Sequence, residues 1–240
     1  MKKSPFFVFF ECLAICLGTF ALAACSDNSA SAEEFNAASI CPESGRGSFV
    51  DDRDGQVYKY TTIGNQVWMA ENLRYIVTDS IMKNPITGEQ NHTSSKCLYQ
   101  DNNCEEMGYT YNWITAYYAC PNGWHLPDFD EWKVLLEYLG GYEKAGFRLK
   151  NLSGWVVLNP GDDANWHNEC GFSALPTLSS DVEQNGIYAT WWLSDYRQNS
   201  YVSDIYDAWA LRFDGYMHFI TLEFSPPEYD GLFSVRCLKD

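Results

Sequence analysis

The chain has 240 residues, 16 Lys and Arg against 32 Asp and Glu, and a formal net charge of −16. An acid excess of this size repels phosphate backbones and anionic headgroups, which excludes nucleic acid as a partner. Aromatic residues make up 16 % of the chain and all 9 tryptophans follow residue 60, so the region after that point can build a sizeable core.

Lys2 and Lys3 open the chain, Phe6 to Leu22 is mostly apolar, and Leu22-Ala23-Ala24-Cys25 sets small residues before a cysteine. That is the layout of a signal peptide over residues 1–24. The Leu-Ala-Ala-Cys ending resembles a bacterial lipobox, which implies cleavage before Cys25, a thioether-linked diacylglycerol on its sulfur and an acylated amine. At ~0.8 kcal/mol per buried methylene, several acyl chains make a stable anchor, so a membrane reached through lipid is the expected partner. By analogy with lipoprotein sorting, Ser26 rather than Asp after the cysteine favours the outer membrane and the cell surface. Glu11 and the shortness of the apolar stretch argue against an uncleaved spanning helix. Residues 26–40 are small, polar and aperiodic, so the lipidated cysteine and a flexible tether are assigned to 25–46, and one domain to 47–240.

The domain opens with Phe49 to Tyr58, where Asp54-Gly55 between two extended runs predicts a hairpin. A second turn at Gly64-Asn65 leads into Val67-Trp68-Met69, giving a meander. Residues 76–106 are polar and irregular, an insertion closed by a local Cys97–Cys104 bridge around Leu98 to Asn103. Trp113, Ala116, Tyr117 and Cys120 recur at helical spacing and predict one buried face. Pro121 and Gly123 stop that helix. The next begins at Asp128, with Glu131 placed for a capping box, carries Trp132, Leu135, Leu136 and Leu139 inward, and ends at Gly140-Gly141. A short helical turn is expected over 143–151. Ile187 to Ser194, Ala208 to Phe213, His218 to Leu222 and Phe233 to Cys237 are rich in β-branched and aromatic residues and predict strands, with a turn at Asp214-Gly215. Two helices among antiparallel strands make the fold class α+β.

Cys12 and Cys16 leave with the signal, and six cysteines remain besides Cys25: Cys41, Cys97, Cys104, Cys120, Cys170 and Cys237. An exported chain with this set implies three disulfides, whose connectivity spacing leaves open. A zinc site lacks support, since no Cys-x-x-Cys or paired-histidine spacing occurs.

Together the motifs resemble the Fibrobacter succinogenes major paralogous domain, a family of exported bacterial domains. The matching pieces are Asp54 to Tyr58, Ile63 to Leu73, Cys120 to Pro127 with Glu131-Trp132, Gly171 to Pro176, Trp191 to Ser194, and Phe233 to Cys237. They span about residues 47–239. The resemblance implies a layout similar to C-type lectin-like and formylglycine-generating-enzyme-like domains, where a helix-terminal cysteine bonds one in the final strand. It thereby implies a Cys120–Cys237 bridge, which leaves Cys41 to pair with Cys170. The family carries no established reaction.

Candidate sites are few. His125 lies in the Trp-His-Leu-Pro corner and is read as bonding turn carbonyls rather than as a base, while His92, His167 and His218 are scattered and show no nucleophile signature. Asp51, Asp52 and Asp54 do not fit a calcium loop, because the EF-hand register sets Val50 first and Thr61 twelfth. Asp162, Asp163, Asn165 and Glu169 form a better oxygen-ligand cluster for calcium. The Glu-Pro-Asn and Gln-Pro-Asp triplets of sugar-binding C-type lectins are absent. Trp68, Trp124, Trp132, Trp191 and Trp192 are expected in the core, whereas Trp155, Trp166, Tyr196 and Tyr201 fall in loops where they can stack on a ligand. The expectation is a non-enzymatic surface lipoprotein with no catalytic residue, whose lectin-like domain binds a polysaccharide or a surface protein. The alternatives are an enzyme related to formylglycine-generating enzymes, which needs reactive thiols, and a structural coat component.

Overall fold

The computed structural model describes residues 35–78, 81–97, 103–156, 167–176, 186–199, 206–215, 220–225 and 231–240. In chain order they form α1 (Ala37–Ile40), β1 (Arg46–Val50), β2 (Val57–Ile63), β3 (Gln66–Met69), β4 (Ile81–Lys83), β5 (Gln90–His92), β6 (Ser95–Lys96), α2 (Cys104–Met107), β7 (Thr110–Tyr111) and α3 (Trp113–Ala119). Then follow β8 (Trp124–His125), α4 (Phe129–Tyr138), α5 (Tyr142–Leu149), β9 (Tyr188–Gln198), β10 (Tyr206–Asp214), β11 (Ile220–Ser225), β12 (Phe233–Ser234) and β13 (Leu238–Lys239). The architecture is α+β, as expected.

β1 and β2 pair antiparallel because the residues between Val50 and Val57 close on Asp51. Asp51 O accepts from Gly55 N at 2.8 Å, and the Asp51 carboxylate accepts from Arg53 N at 3.0 Å and from Arg53 Nη2 at 2.7 Å. Gly55 supplies the left-handed φ of 78° that an Asp-Gly turn requires. β3 returns against β2 through Gly64-Asn65. Only glycine fits at Gly64, since its φ is 60° and a Cβ would strike the Tyr138 ring.

The first sheet has the order β1-β2-β3-β13-β8 and the second β11-β10-β9-β12-β7-β6, with β4 and β5 forming a separate pair. Strand alternation divides the core. Trp191, Leu193, Leu211 and Phe213 join one cluster with Trp132, Leu135, Leu136 and Leu149 from α4 and α5. Trp192, Ala208 and Ala210 join another with Tyr111, Trp113, Ile114 and Ala116. Trp132 is the hub of the first, its ring centroid 4.7 Å from that of Trp68, 5.8 Å from Phe172 and 6.2 Å from Trp191. Such aromatic pairs add about 0.5–1.5 kcal/mol each beyond area burial. The expected capping box holds α4: Asp128 Oδ1 accepts from Glu131 N at 2.8 Å and Glu131 Oε2 from Asp128 N at 2.9 Å.

Three disulfides join Cys41 to Cys170, Cys97 to Cys104, and Cys120 to Cys237. Five expectations need correction. Residues 35–46 are not free tether: Phe35 and, from α1, Ala37 and Ile40 pack on the first cluster, and Gly64 N donates to Ile40 O at 2.7 Å. The polar insertion is not wholly irregular, since it contains β4, β5 and β6. Phe233 to Cys237 is not one strand. It breaks so that β12 and β13 serve different sheets, and the crossing backbone is held by Leu73 N to Val235 O at 2.9 Å and Met69 N to Cys237 O at 3.0 Å. Trp124 is half-buried rather than core, stacked on Phe49 at 4.4 Å. Tyr117 is exposed, because the short α3 buries Trp113, Ile114, Thr115, Ala116 and Ala119 instead.

Candidate functional site

α3 is set at its start by Asn112, whose Oδ1 accepts from Thr115 N at 3.0 Å and whose Nδ2 donates to His92 O at 3.1 Å. Trp113 then fixes its rotation by inserting into the core and donating its indole N–H to Leu193 O at 2.8 Å. With that face turned inward, Tyr117 and Tyr118 are left on the surface, 37 % and 45 % exposed. β9 is buried through Leu193 and then runs out of the body, so that Tyr196 is 46 % exposed. A bulge between Ala208 and Ala210 shifts the β9–β10 register at the same place, with Ala208 opposite Tyr196.

These elements bring together a row of rings. Tyr118 meets Tyr117 at 5.1 Å, Tyr117 meets Trp113 at 5.5 Å, Trp113 meets Tyr196 at 6.0 Å, and Tyr196 meets Tyr206 at 5.9 Å between centroids. The interplanar angles run from 57° to 78°: Trp113 and Tyr117 are tilted, and the other three pairs meet edge to face. Trp113 is the buried footing, while Tyr117, Tyr118 and Tyr196 are the exposed members. The other face of the same strands is different: Arg197 lies 3.7 Å over the Phe224 ring and pairs with Asp207 at 3.5 Å.

Of the four aromatics read from sequence as ligand contacts, Tyr196 belongs to this row. Trp155 does not lie on the surface. It is 8 % exposed, donates its indole N–H to Ala174 O at 3.0 Å, and its ring lies 4.7 Å from Lys150 Nζ. It covers a buried lysine rather than a ligand. Trp166 and Tyr201 fall outside the described residues, as do Asp162, Asp163 and Asn165 of the calcium cluster. Glu169, the remaining member, forms an ion pair with Arg148 Nε at 3.4 Å, in a cavity of about 270 Å³ lined also by Lys144, Phe147 and His167. Among the described residues no three His, Cys, Asp or Glu side chains are grouped to hold a metal ion. Tyr118 and Tyr206 were not singled out by sequence, and Tyr117 was read as part of a buried helical face rather than as a ligand contact. The usable signal was the Tyr-Tyr doublet, since adjacent residues of a helix point about 100° apart and cannot both follow one narrow stripe.

Four titratable groups away from the row have shifted pKa values and defined partners. His125 does not bond turn carbonyls: Nδ1 is 2.7 Å from Asp240 Oδ1 and Nε2 is 2.9 Å from Glu131 Oε1, so one imidazole joins β8, the residue after β13 and the α4 cap. Burial pulls its pKa down, but the hydrogen bonds to the two carboxylates outweigh this and leave it raised. Lys150 donates to Asp214 O at 2.5 Å and burial pulls its amine down to about 8, against the attraction of Asp214. Arg236 is fully buried, and burial pulls its guanidinium down to about 9, opposed by Glu71. Burial also raises the Asp195 carboxyl; the hydrogen bond from Phe129 N, 2.6 Å long, opposes this, and Asp128 and Asp130 add to it.

A profile of the family described as the Fibrobacter succinogenes major domain matches residues 61–239, and the chain belongs to that family. No curated protein and no solved structure matches the chain.

Proposed function

We propose that this is a non-enzymatic, lipid-anchored surface module that binds an extracellular polysaccharide or protein through the tyrosine row on α3, β9 and β10. The observation that carries the reading is the unbroken series of ring contacts from Tyr118 to Tyr206, three of whose members are more than a third exposed. Clustered exposed aromatics mark interaction surfaces, because burying them on a partner is favourable and the ordering cost of a two-torsion side chain is small. A C-type lectin-like layout is part of the proposal, supported by the Cys120–Cys237 bridge from the end of α3 to the start of β13. The enzyme alternative needs reactive thiols, and the pairing of Cys41, Cys97, Cys104, Cys120, Cys170 and Cys237 favours binding over it. Anchoring through Cys25 at the outer membrane rests on the Leu22 to Cys25 signature.

The test is a screen of the lipidated chain against immobilised polysaccharides and envelope proteins, with and without chelator. The Tyr117→Ala/Tyr118→Ala/Tyr196→Ala variant is run beside Tyr142→Ala, an exposed tyrosine off the row. Binding lost only in the triple variant supports the row. Equal binding by both variants rejects it. Loss on chelation would instead make the binding metal-dependent and favour a contact away from the row.

A further inference from the structure

We infer that the ligand of the tyrosine row is a single, unbranched chain of neutral sugars lying along it from Tyr118 to Tyr206. This rests on the reading of the row as the contact surface and adds the chemistry and form of what lies there.

Three features point to it. The first is the shape of the row. Among the described residues the ring contacts run in series, and the exposed rings form two narrow groups, Tyr117 with Tyr118 and Tyr196 beside Tyr206, on either side of the buried Trp113. A protein partner of ordinary affinity covers about 800 Å² per side, far more than a line of rings presents, whereas a polymer of ring-sized units fits a series of ring-sized contacts.

The second is the relative tilt. Neighbouring planes differ by 57° between Trp113 and Tyr117, 68° between Trp113 and Tyr196, 74° between Tyr117 and Tyr118, and 78° between Tyr196 and Tyr206. A crystalline polysaccharide face is flat and demands coplanar rings. A free chain can rotate about each linkage, so successive sugars can meet rings of different tilt.

The third is charge. Tyr58, Tyr75 and Tyr188 each carry an arginine over the ring, at 4.6, 3.9 and 3.4 Å. Among the described residues no lysine or arginine lies over Tyr117, Tyr118, Tyr196 or Tyr206, whose ring contacts are with one another and with Trp113. A chain with net charge −16 and no cation on the row repels uronates and sulfated polymers. Neutral sugars present C–H faces to the rings and hydroxyls to the phenol oxygens, which both donate and accept.

The experiment is calorimetric titration of the full chain with cello-, xylo- and manno-oligosaccharide ladders from disaccharide to hexasaccharide, beside polygalacturonate and microcrystalline cellulose. The expected result is binding of at least one ladder, tighter with each added sugar until the row is spanned. Tyr117→Ala and Tyr196→Ala each weaken it about tenfold or more. Tyr118→Ala and Tyr206→Ala, at the two ends, remove only the gain from the longest members. Binding that does not grow with length, a preference for polygalacturonate, adsorption to crystalline cellulose without soluble-chain binding, or silence across all ladders each overturns the inference. If the ladders are silent while row variants abolish capture of an envelope protein, the row remains the contact and only its ligand class is wrong. If row variants change no binding, both readings fall.

Discussion

Asn72 Oδ1 accepts from both Nε and Nη2 of Arg236, at 3.1 and 2.7 Å, and from the Trp191 indole at 2.9 Å. The remaining arginine nitrogen donates to Phe172 O and, at 3.4 Å, to Met69 O, while Asn72 Nδ2 donates to Met107 O at 2.9 Å. The guanidinium also sits 4.5 Å over the Phe172 ring. One buried cation and one amide thus join the end of β3, the strand crossing before β13, β9 and the segment after Cys170.

Removing the amide leaves the cation without its main acceptor. Asn72→Ala is expected to lower stability by roughly 3–5 kcal/mol, the range for stranding a buried charge. Asn72→Asp restores an anionic acceptor and loses less, while Arg236→Lys cannot reproduce the fork and resembles the alanine variant. Urea unfolding of the oxidised proteins ranks the three; Asn72→Ala within error of the parent would refute the account.

The His125 clamp predicts a direction with pH. The folded pKa lies above the unfolded value of about 6.5, so the stabilisation is complete below that value and is lost as pH rises through the folded one. The His125→Gln variant should lose this pH-dependent component of the melting temperature. Both carboxylate contacts are partly exposed, so the effect is small and shrinks with salt. A histidine chemical-shift titration reads the raised pKa directly.

Truncation distinguishes tether from domain. Deleting residues up to Glu34 is expected to leave thermal stability unchanged. Deleting up to Gly45 removes the Phe35 ring beneath Arg148 at 3.6 Å, the α1 packing and the Cys41–Cys170 bridge, and lowers stability by about 5 kcal/mol. Equal melting temperatures for the two truncations would restore the tether reading.

The three bridges are not equivalent. Cys120 and Cys237 are 117 residues apart and Cys97 and Cys104 only 7, so loop-closure entropy gives losses of about 5 and about 2 kcal/mol for the paired serine variants. Denaturant midpoints test the order, and a reversal would mean that native packing rather than chain entropy decides.

Local signals were legible where they act within a few residues. Asp54-Gly55, the Asp128 and Glu131 box, and the stripe from Trp132 to Leu139 are read from turn chemistry and helical period, and the structure has each. Period alone was misleading for α3, where seven residues make too few turns to define a face; Trp113 and its bond to Leu193 O decide the rotation, and so expose Tyr117. Trp155 looked like a loop aromatic because nothing in its neighbours announces the buried Lys150 it covers. The N-terminal boundary was set too late, because Phe35 and Ile40 are isolated apolar residues whose packing surface lies far along the chain.

By itself the sequence determined the acidic charge balance, the hairpin and helix starts, the family and the α+β class. These depend on composition and on short-range geometry that every chain with these residues shares. Only the tertiary structure decided that Asn72 meets Arg236, that His125 lies between two carboxylates, and that Tyr118, Tyr117, Trp113, Tyr196 and Tyr206 form one row. Those partners are brought together by strand pairing and core packing, and no local propensity carries information about which distant residue will arrive.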